Sequence, residues 1–369
     1  MKFAIAIPTY NRVEALKRAL SHIEKQIIPE GVDLYCVISN TASTDGTHEF
    51  LSGLTSQKIR YVIHSSLENS IYVNWRKCFE IIPPDMDWVW FHGDDDYLFD
   101  EKSLQIVCDQ IRKLDDANLS LVHPCQARRS RNSGKVFKGT LLDLCNQIGY
   151  HEMLGWMSSL VVRADRFLAA MLSPQPQVQS AEDALALKIS AYSHSAKILE
   201  YCYADQAVFI DFPLVEPQDV QQTKESVARW AVEAIGERYF FVVDDLLKLK
   251  DKGVLSSGVT KNFFRYLNGN LWDRYINFIF VELINTGSLS DRTRQHIERL
   301  RSISTLLAIP SDVKIYLEMY FGIEERVNRH LRAVQDVNAS RQSIMKHIEV
   351  TNSNNYSFQI LNESAGIQS

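Results

Sequence analysis

Along the first 130 residues, short apolar runs alternate with stretches in which apolar positions recur every three or four. The runs FAIAIP (3–8), DLYCVIS (33–39), IRYVIHS (59–65) and DWVWFH (87–92) read as strands, the first of them buried. Between the first two, Val13, Leu16, Ala19, Leu20 and Ile23 share one helical face, predicting a helix over 13–24. Ser43, Thr44 and Asp45 offer caps for a helix starting within 43–51, and a helix over 70–82 stops at Pro83-Pro84. A helix near 101–114 and a strand LSLVHPC (119–125) follow. Strands alternating with helices in this way feed a mainly parallel sheet, so the fold class is α/β.

Beyond this the pattern loosens. QARRSRNSGK (126–135) reads as an exposed basic loop, SPQPQ (173–177) as a proline-rich one, and a helix begins near Ala181. From about Thr223 strand signals vanish, and helical patterns run through 223–250, 260–286, 290–308 and 311–348. The expected organisation is an α/β domain over 1–215, a helical C-terminal domain over 216–350 and an Asn- and Ser-rich disordered tail over 351–369. Residues 260–286 hold more apolar positions than one helix stripe requires. That surplus points to a partner surface, a second protomer first and a membrane surface second.

Composition narrows the function classes. With 46% hydrophobic and 23% charged residues the chain is an ordinary globular one, and 40 Lys+Arg against 45 Asp+Glu leave −5. No bulk positive field exists to draw in nucleic acid. The six cysteines form no CxxC pair, so reduced thiols and a cytoplasmic setting are expected, at most at the inner face of the membrane. MKFAIAIPTYNR has an apolar run too short for a signal peptide, and YINFIFVELI (275–284) is half the length of a spanning helix.

Three polar constellations carry candidate chemistry. Asp94-Asp95-Asp96 follows the strand WVWFH directly, and ligands in open α/β sheets bind outside the carboxyl ends of strands. Oxygen-only ligands suit Mg²⁺ or Mn²⁺ bound together with substrate phosphates. A solvated acidic turn is the alternative. Pro8-Thr9-Tyr10-Asn11-Arg12 ends strand one, where Tyr10 could stack on a base and Arg12 pair with phosphate, or Thr and Asn could simply cap a helix. SNTASTDG (39–46) ends strand two and is, by itself, a capped turn.

Taken in order, IPTYNR, ISNTASTDGT and a strand ending in GDDD resemble the family 2 glycosyltransferases of the GT-A (Rossmann-like) fold over residues 1–215. The form WVWFHGDDDYL resembles the branch with abequosyltransferase-like enzymes of surface-polysaccharide assembly. The resemblance implies nucleotide-binding roles for Pro8, Thr9, Tyr10 and Arg12. It puts Asn40 where the family has an Asp that contacts the base, and an amide can donate as well as accept, which leaves uracil open. Asn69 and Asn74 match asparagines after strand three. The resemblance implies Asp96 and Asp94 as metal ligands and Asp94 and Asp95 as ribose or metal contacts. Glu182-Asp183 matches the family's Glu-Asp motif, in which Asp183 is the general base. The alternative for this pair is two carboxylates favouring a helix N-terminus. Trp156 and Ser158 are expected on the acceptor side, with Trp156 equally readable as core. Arg229-Trp230 resembles a QxxRW motif but lacks its Gln.

The implied activity is metal-dependent (Mn²⁺ or Mg²⁺), inverting transfer of one sugar from a nucleotide-sugar to a saccharide or lipid-linked saccharide. UDP is the first donor nucleotide expected, with GDP, dTDP and CDP as alternatives. A sugar-1-phosphate nucleotidyltransferase and a catalytically silent nucleotide-sugar-binding module are the competing readings. The glycine-free turn PTYNR speaks against the first, and the presence of both acidic motifs against the second.

Overall fold

The computed structural model describes residues 1–67, 70–114, 116–174, 178, 181–217, 238, 240–256, 259–264, 290, 291, 294 and 295. The first elements are β1 (Lys2–Thr9), α1 (Val13–Glu24), β2 (Asp33–Thr41), α2 (Thr47–Ser52), β3 (Ile59–Ser66), α3 (Ile71–Glu80), β4 (Trp88–Phe91), β5 (Asp96–Leu98) and α4 (Ser103–Leu114). Then come β6 (Leu119–Gln126), β7 (Lys135–Thr140), α5 (Leu141–Ile148), α6 (Tyr150–Leu154), β8 (Leu160–Arg163), α7 (Ala164–Met171), α8 (Ala181–Ala186), α9 (Ser193–Cys202) and β9 (Gln206–Pro217). A last described helix, α10, spans Phe241–Asp251.

The nine strands form one sheet in the order β3-β2-β1-β4-β8-β6-β9-β5, with β7 on the far part of β9. β1 to β4 are parallel; β8 runs against β4 and β6, so β6 and β9 again point the same way as β4. β1 to β4, β6 and β9 therefore deliver their carboxyl ends to one edge. Strands buried on both faces need continuous apolar runs, and Phe3 to Ile7 and Val89 to Phe91 are fully buried.

The two faces carry different cores. Phe3, Ile5, Ile7 and Trp90 pack with Leu16, Leu20 and Ile23 of α1 and with Leu104, Val107 and Cys108 of α4. On the other face Phe91 meets Phe79 at 5.1 Å and Phe167 at 5.9 Å, edge-on or tilted, from α3 and α7. Rings of this size each bury a large apolar area and gain further from edge-to-face contact. All six cysteines are buried and free, and burial pushes their thiols up.

The chain divides into two compact units, one of Met1–Leu187 with His194–Gln221 and one of Lys188–Ser193 with Gln222–Ser369. In the second, Arg238 donates to the carbonyls of Ile189 and Ser190 at 2.9 Å, and Ser190 Oγ bonds the Asp245 carboxylate. α10 buries Phe241, Val242, Val243, Leu246 and Leu249 along one stripe. The helices expected over 260–286, 290–308 and 311–348, the motif Arg229-Trp230 and the tail 351–369 lie outside the described residues, except for Thr260, a 3₁₀ turn at Lys261–Phe264, and residues 290, 291, 294 and 295, of which 291, 294 and 295 are helical. The basic segment 126–135 needs one correction: Lys135 opens β7, because its backbone pairs with Asp211 of β9.

Candidate active site

β4 ends where its hydrogen bonds run out, and the backbone turns through His92 and Gly93 into the acidic triplet. His92 donates its amide to Ala6 O at 2.9 Å, and burial lowers its imidazole to about 4, keeping the ring neutral. Gly93 donates its amide to Ser158 Oγ at 2.8 Å. A Cβ at Gly93 would crowd the acidic side chains and make them shift: it would lie 2.9 Å from Asp95 Oδ1 and 3.3 Å from both Asp96 Oδ2 and Ser158 Oγ. The same geometry says that two carboxylates and a hydroxyl converge over one glycine.

The three acids are held differently. Asp94 is buried and accepts from Thr9 Oγ1 at 2.8 Å and from Arg12 Nη1 at 2.9 Å. Arg12 Nη1 also reaches Asp95 at 2.7 Å. Asp94, and after it Asp95, holds the guanidinium firmly cationic, while burial pushes the Asp94 carboxyl up against the pull of Arg12. Asp96 is pushed up to about 7, first by burial and then by Asp95, with a hydrogen bond from Ser158 working the other way. One cation thus serves three carboxylates.

This donor set fits a hard divalent ion. Among the described residues no three His, Cys, Asp or Glu side chains form a ready cage, but Asp95 Oδ1 and Asp96 Oδ2 face a common volume over Gly93. Mg²⁺ and Mn²⁺ are characteristically held by one or two carboxylates plus substrate oxygens.

The turns after β1 and β2 form one wall beside the triplet. Asn11 sits at φ +49° and Ala42 at φ +48°. The Asn11 amide donates to Ser43 Oγ at 2.9 Å, and Asn11 Oδ1 accepts from the Thr44 amide at 2.7 Å. Asp45 accepts from the Val13 amide at 2.8 Å and from the Thr47 amide at 3.2 Å, so one carboxylate caps both α1 and α2. Asn74 Nδ2 donates to Thr9 O at 2.9 Å from α3. Asn40 and Asn74 are buried, and each leaves its Oδ1 without a protein partner. An unmet buried acceptor costs free energy, which an N–H from a bound ligand would recover.

Thus Thr9, Arg12, Asn74, Asp94, Asp95, Asp96 and Ser158 are brought into one network, with Pro8 and Asn40 at the carboxyl ends of β1 and β2 and Tyr10 on the turn after β1. Trp156 and Ser158 separate in role. Ser158 is fully buried beneath the acidic turn, where its carbonyl also accepts from Trp90 Nε1 at 2.8 Å. Trp156 is half-buried with the Arg129 guanidinium 3.9 Å over its ring. Asp183 stands in the first turn of α8, half-buried; the Glu182 side chain and Asn69 lie outside the described residues. Sequence reasoning missed Gly93, Asp45 as a double cap, and Arg129. The STDGT pattern signalled a cap but not that it serves two helices, and nothing local pairs Arg129 with Trp156.

Residues 4–158 match the profile described as Glycosyl transferase family 2. Among solved structures the chain is similar to S. aureus TarS 1-349, at 14% identity and a TM-score of 0.53, covering 93% of this chain and 92% of that one. The arrangement is the GT-A fold. The same S. aureus protein in complex with UDP-GlcNAc aligns at 14% identity and a TM-score of 0.44, over 76% of this chain and 81% of that one. A Pyrobaculum calidifontis mannosyltransferase in complex with GDP-Man and Mn²⁺ aligns at 12% identity and 0.44, over 96% and 87%. A search of curated proteins returned no significant match.

Proposed function

We propose that this chain, which carries a glycosyltransferase family 2 domain on a GT-A fold, is a metal-dependent inverting enzyme that moves one sugar from a nucleotide-sugar to a saccharide or lipid-linked saccharide, as in surface-polysaccharide assembly. The observation that carries this reading is the acidic turn at the carboxyl end of β4, where Asp95 and Asp96 oxygens converge over Gly93 beside Arg12. Asp96 would hold Mn²⁺ or Mg²⁺ with Asp95 in place of the expected Asp94, whose two oxygens are taken by Thr9 and Arg12; the ion, when bound, supplies Lewis-acid stabilisation to the departing diphosphate. Arg12 lies within reach of the same phosphates and offers further donors beyond the one spent on Asp94 and Asp95. The unmet Asn40 Oδ1 supports a base that presents an N–H, which uracil, thymine and guanine offer from the ring and cytosine from its exocyclic amine, so UDP stays the first donor nucleotide with GDP, dTDP and CDP as alternatives.

On the acceptor side Asp183 takes the proton from the attacking hydroxyl, and attack opposite the leaving diphosphate inverts the anomeric centre. The test is nucleoside-diphosphate release with Mn²⁺ across donors, together with product stereochemistry. Asp96→Ala is expected to abolish metal-dependent donor binding. Asp183→Asn is expected to bind donor normally and transfer it about a hundred- to ten-thousand-fold more slowly. Full activity in excess EDTA, or a product that retains the donor configuration, would sink the reading.

A further inference from the structure

We propose that Ser158 is the positioning residue of the acidic turn: its buried hydroxyl ties Gly93 to Asp96 and so sets the carboxylates to receive the divalent ion. This rests on the metal-dependent reading above. The place of Ser158 follows from the register of two strands. β4 and β8 pair antiparallel as far as Phe91 with Leu160, and two further steps along that register bring Gly93 opposite Ser158. The ladder has ended there, because the chain coils into a short 3₁₀ turn, Met157–Ser159, before β8 begins. A side chain therefore meets the Gly93 amide where a strand would have offered backbone, Ser158 Oγ accepting at 2.8 Å. The Ser158 carbonyl accepts from Trp90 Nε1 at 2.8 Å, which fixes the turn to β4 a second time. Ser158 is fully buried, so its expected place on the acceptor side gives way to one beneath the acids.

A hydroxyl has one proton to give and two lone pairs. With a lone pair spent on Gly93, the proton is left for Asp96, which accepts it. The three acids are thus held by two different means. Arg12 bonds Asp94 and Asp95, while Ser158 bonds Asp96 and the backbone that leads into the triplet. A neutral donor orients Asp96 without cancelling its charge, which a second guanidinium would do, and leaves that charge for a cation from outside. The space asks for a small group as well. Ser158 Oγ and Asp96 Oδ2 both stand 3.3 Å from where a Cβ on Gly93 would be, on the same side as Asp95 Oδ1. Removing a group that holds a metal's ligands, rather than the metal, typically lowers metal affinity about ten- to a hundredfold. Ser159 supplies the control: it is equally buried, one residue along the same turn, and its Oγ has no hydrogen-bond partner among the described residues.

The probe is Mn²⁺, titrated by calorimetry into the full chain with and without saturating UDP, for wild type, Ser158→Ala and Ser159→Ala, below the melting temperature of each. Ser158→Ala is expected to bind Mn²⁺ about ten- to a hundredfold more weakly, and Ser159→Ala to match wild type. A second readout needs no metal: backbone amide exchange over residues 92–98 should be faster in Ser158→Ala and unchanged in Ser159→Ala. Should Ser158→Ala not fold, Ser158→Cys takes its place, since a thiol fills the gap but is a weak donor, and a loss of Mn²⁺ affinity is again expected. Wild-type Mn²⁺ affinity or wild-type exchange in the Ser158 variant would overturn the proposal. So would an equal loss in both variants, which would reduce Ser158 to packing of the turn. Each of these leaves the metal-dependent reading standing. Wild-type protein that takes up no Mn²⁺ with or without UDP would overturn that reading, and the proposal with it.

Discussion

Arg12 is the residue on which the acidic turn depends, since its guanidinium lies on both Asp94 and Asp95 and both it and Asp94 are largely shielded from water. Removing one partner of a buried pair leaves an uncompensated charge and costs about 3–5 kcal/mol. Arg12→Ala should therefore destabilise the protein by that order at pH 8. The deficit should shrink on acidification. Without Arg12, burial and then Asp95 act on Asp94 against the Thr9 hydrogen bond alone and its carboxyl rises further, so the folded state takes up a proton that the unfolded chain releases, and stability falls as pH rises. Urea denaturation at pH 5 and pH 8 checks this, and adding Asp94→Asn should restore part of the loss. A cost below about 1 kcal/mol at pH 8 would mean the pair is not buried as described. Each of these residues was legible in the sequence as polar punctuation at a strand end, but not their pairing. Thr9 and Asp94 are 85 positions apart and Arg12 and Asp95 83, and a Coulombic contact leaves no local pattern.

At the scale of elements, β1, β2, β4 and β6 were readable because a strand buried on both faces must be apolar throughout, while β3, an edge strand with only Ile59 buried, was readable from its short apolar run IRYVI. β7 and β9 were not. Lys135–Thr140 carries two lysines and a glycine, and Gln206–Pro217 contains Asp211, Pro213 and Pro217; they are strands because they pair with each other and with β6. β5, three residues long, exists only through its bonds to the end of β9. The turn after β2 shows the converse, a local strain that pairing imposes. The Ala42 amide is tied to Ser66 O at 2.7 Å with φ at +48°. An L-residue in that region costs about 1–2 kcal/mol, against about 0.5–1 kcal/mol for the extra backbone freedom of glycine. Ala42→Gly should accordingly stabilise the fold by about 0.5–1 kcal/mol. A denaturation midpoint that moves down instead of up would show that the turn is not strained.

Over the whole molecule, neutral histidines are built into the core on both faces of the sheet. His123, with Nδ1 3.0 Å from Met153 O and its ring stacked on Phe209, is lowered to about 3 by burial; His92 and His194 are lowered to about 4 for the same reason. In the unfolded chain a histidine titrates near 6.5. Below that pH the unfolded state binds protons that the folded state refuses, so the stability these residues contribute is complete above 6.5 and is lost as pH falls toward their folded values. The raised carboxyls of Asp94 and Asp96 act in the opposite sense, so a single-residue comparison isolates the effect. His123→Asn should flatten the fall in stability between about pH 6 and 4 by close to one proton, or about 1.4 kcal/mol per pH unit. Parallel pH profiles for wild type and variant would contradict this.

The double cap at Asp45 has a consequence for how such a protein can be altered. With one carboxylate closing α1 and α2, and Asn11 bonded both ways to Ser43 and Thr44, the turns after β1 and β2 are a single mechanical part. They cannot drift independently under mutation. A chimera that imports only the first turn from a relative arrives without its fasteners, while one that imports residues 8–12 and 39–47 together brings a complete unit. On the proposal that these turns hold the donor's base, retuning them also retunes the placement of Arg12 against the acids, and variants selected for a new donor should carry their changes in pairs across those two segments.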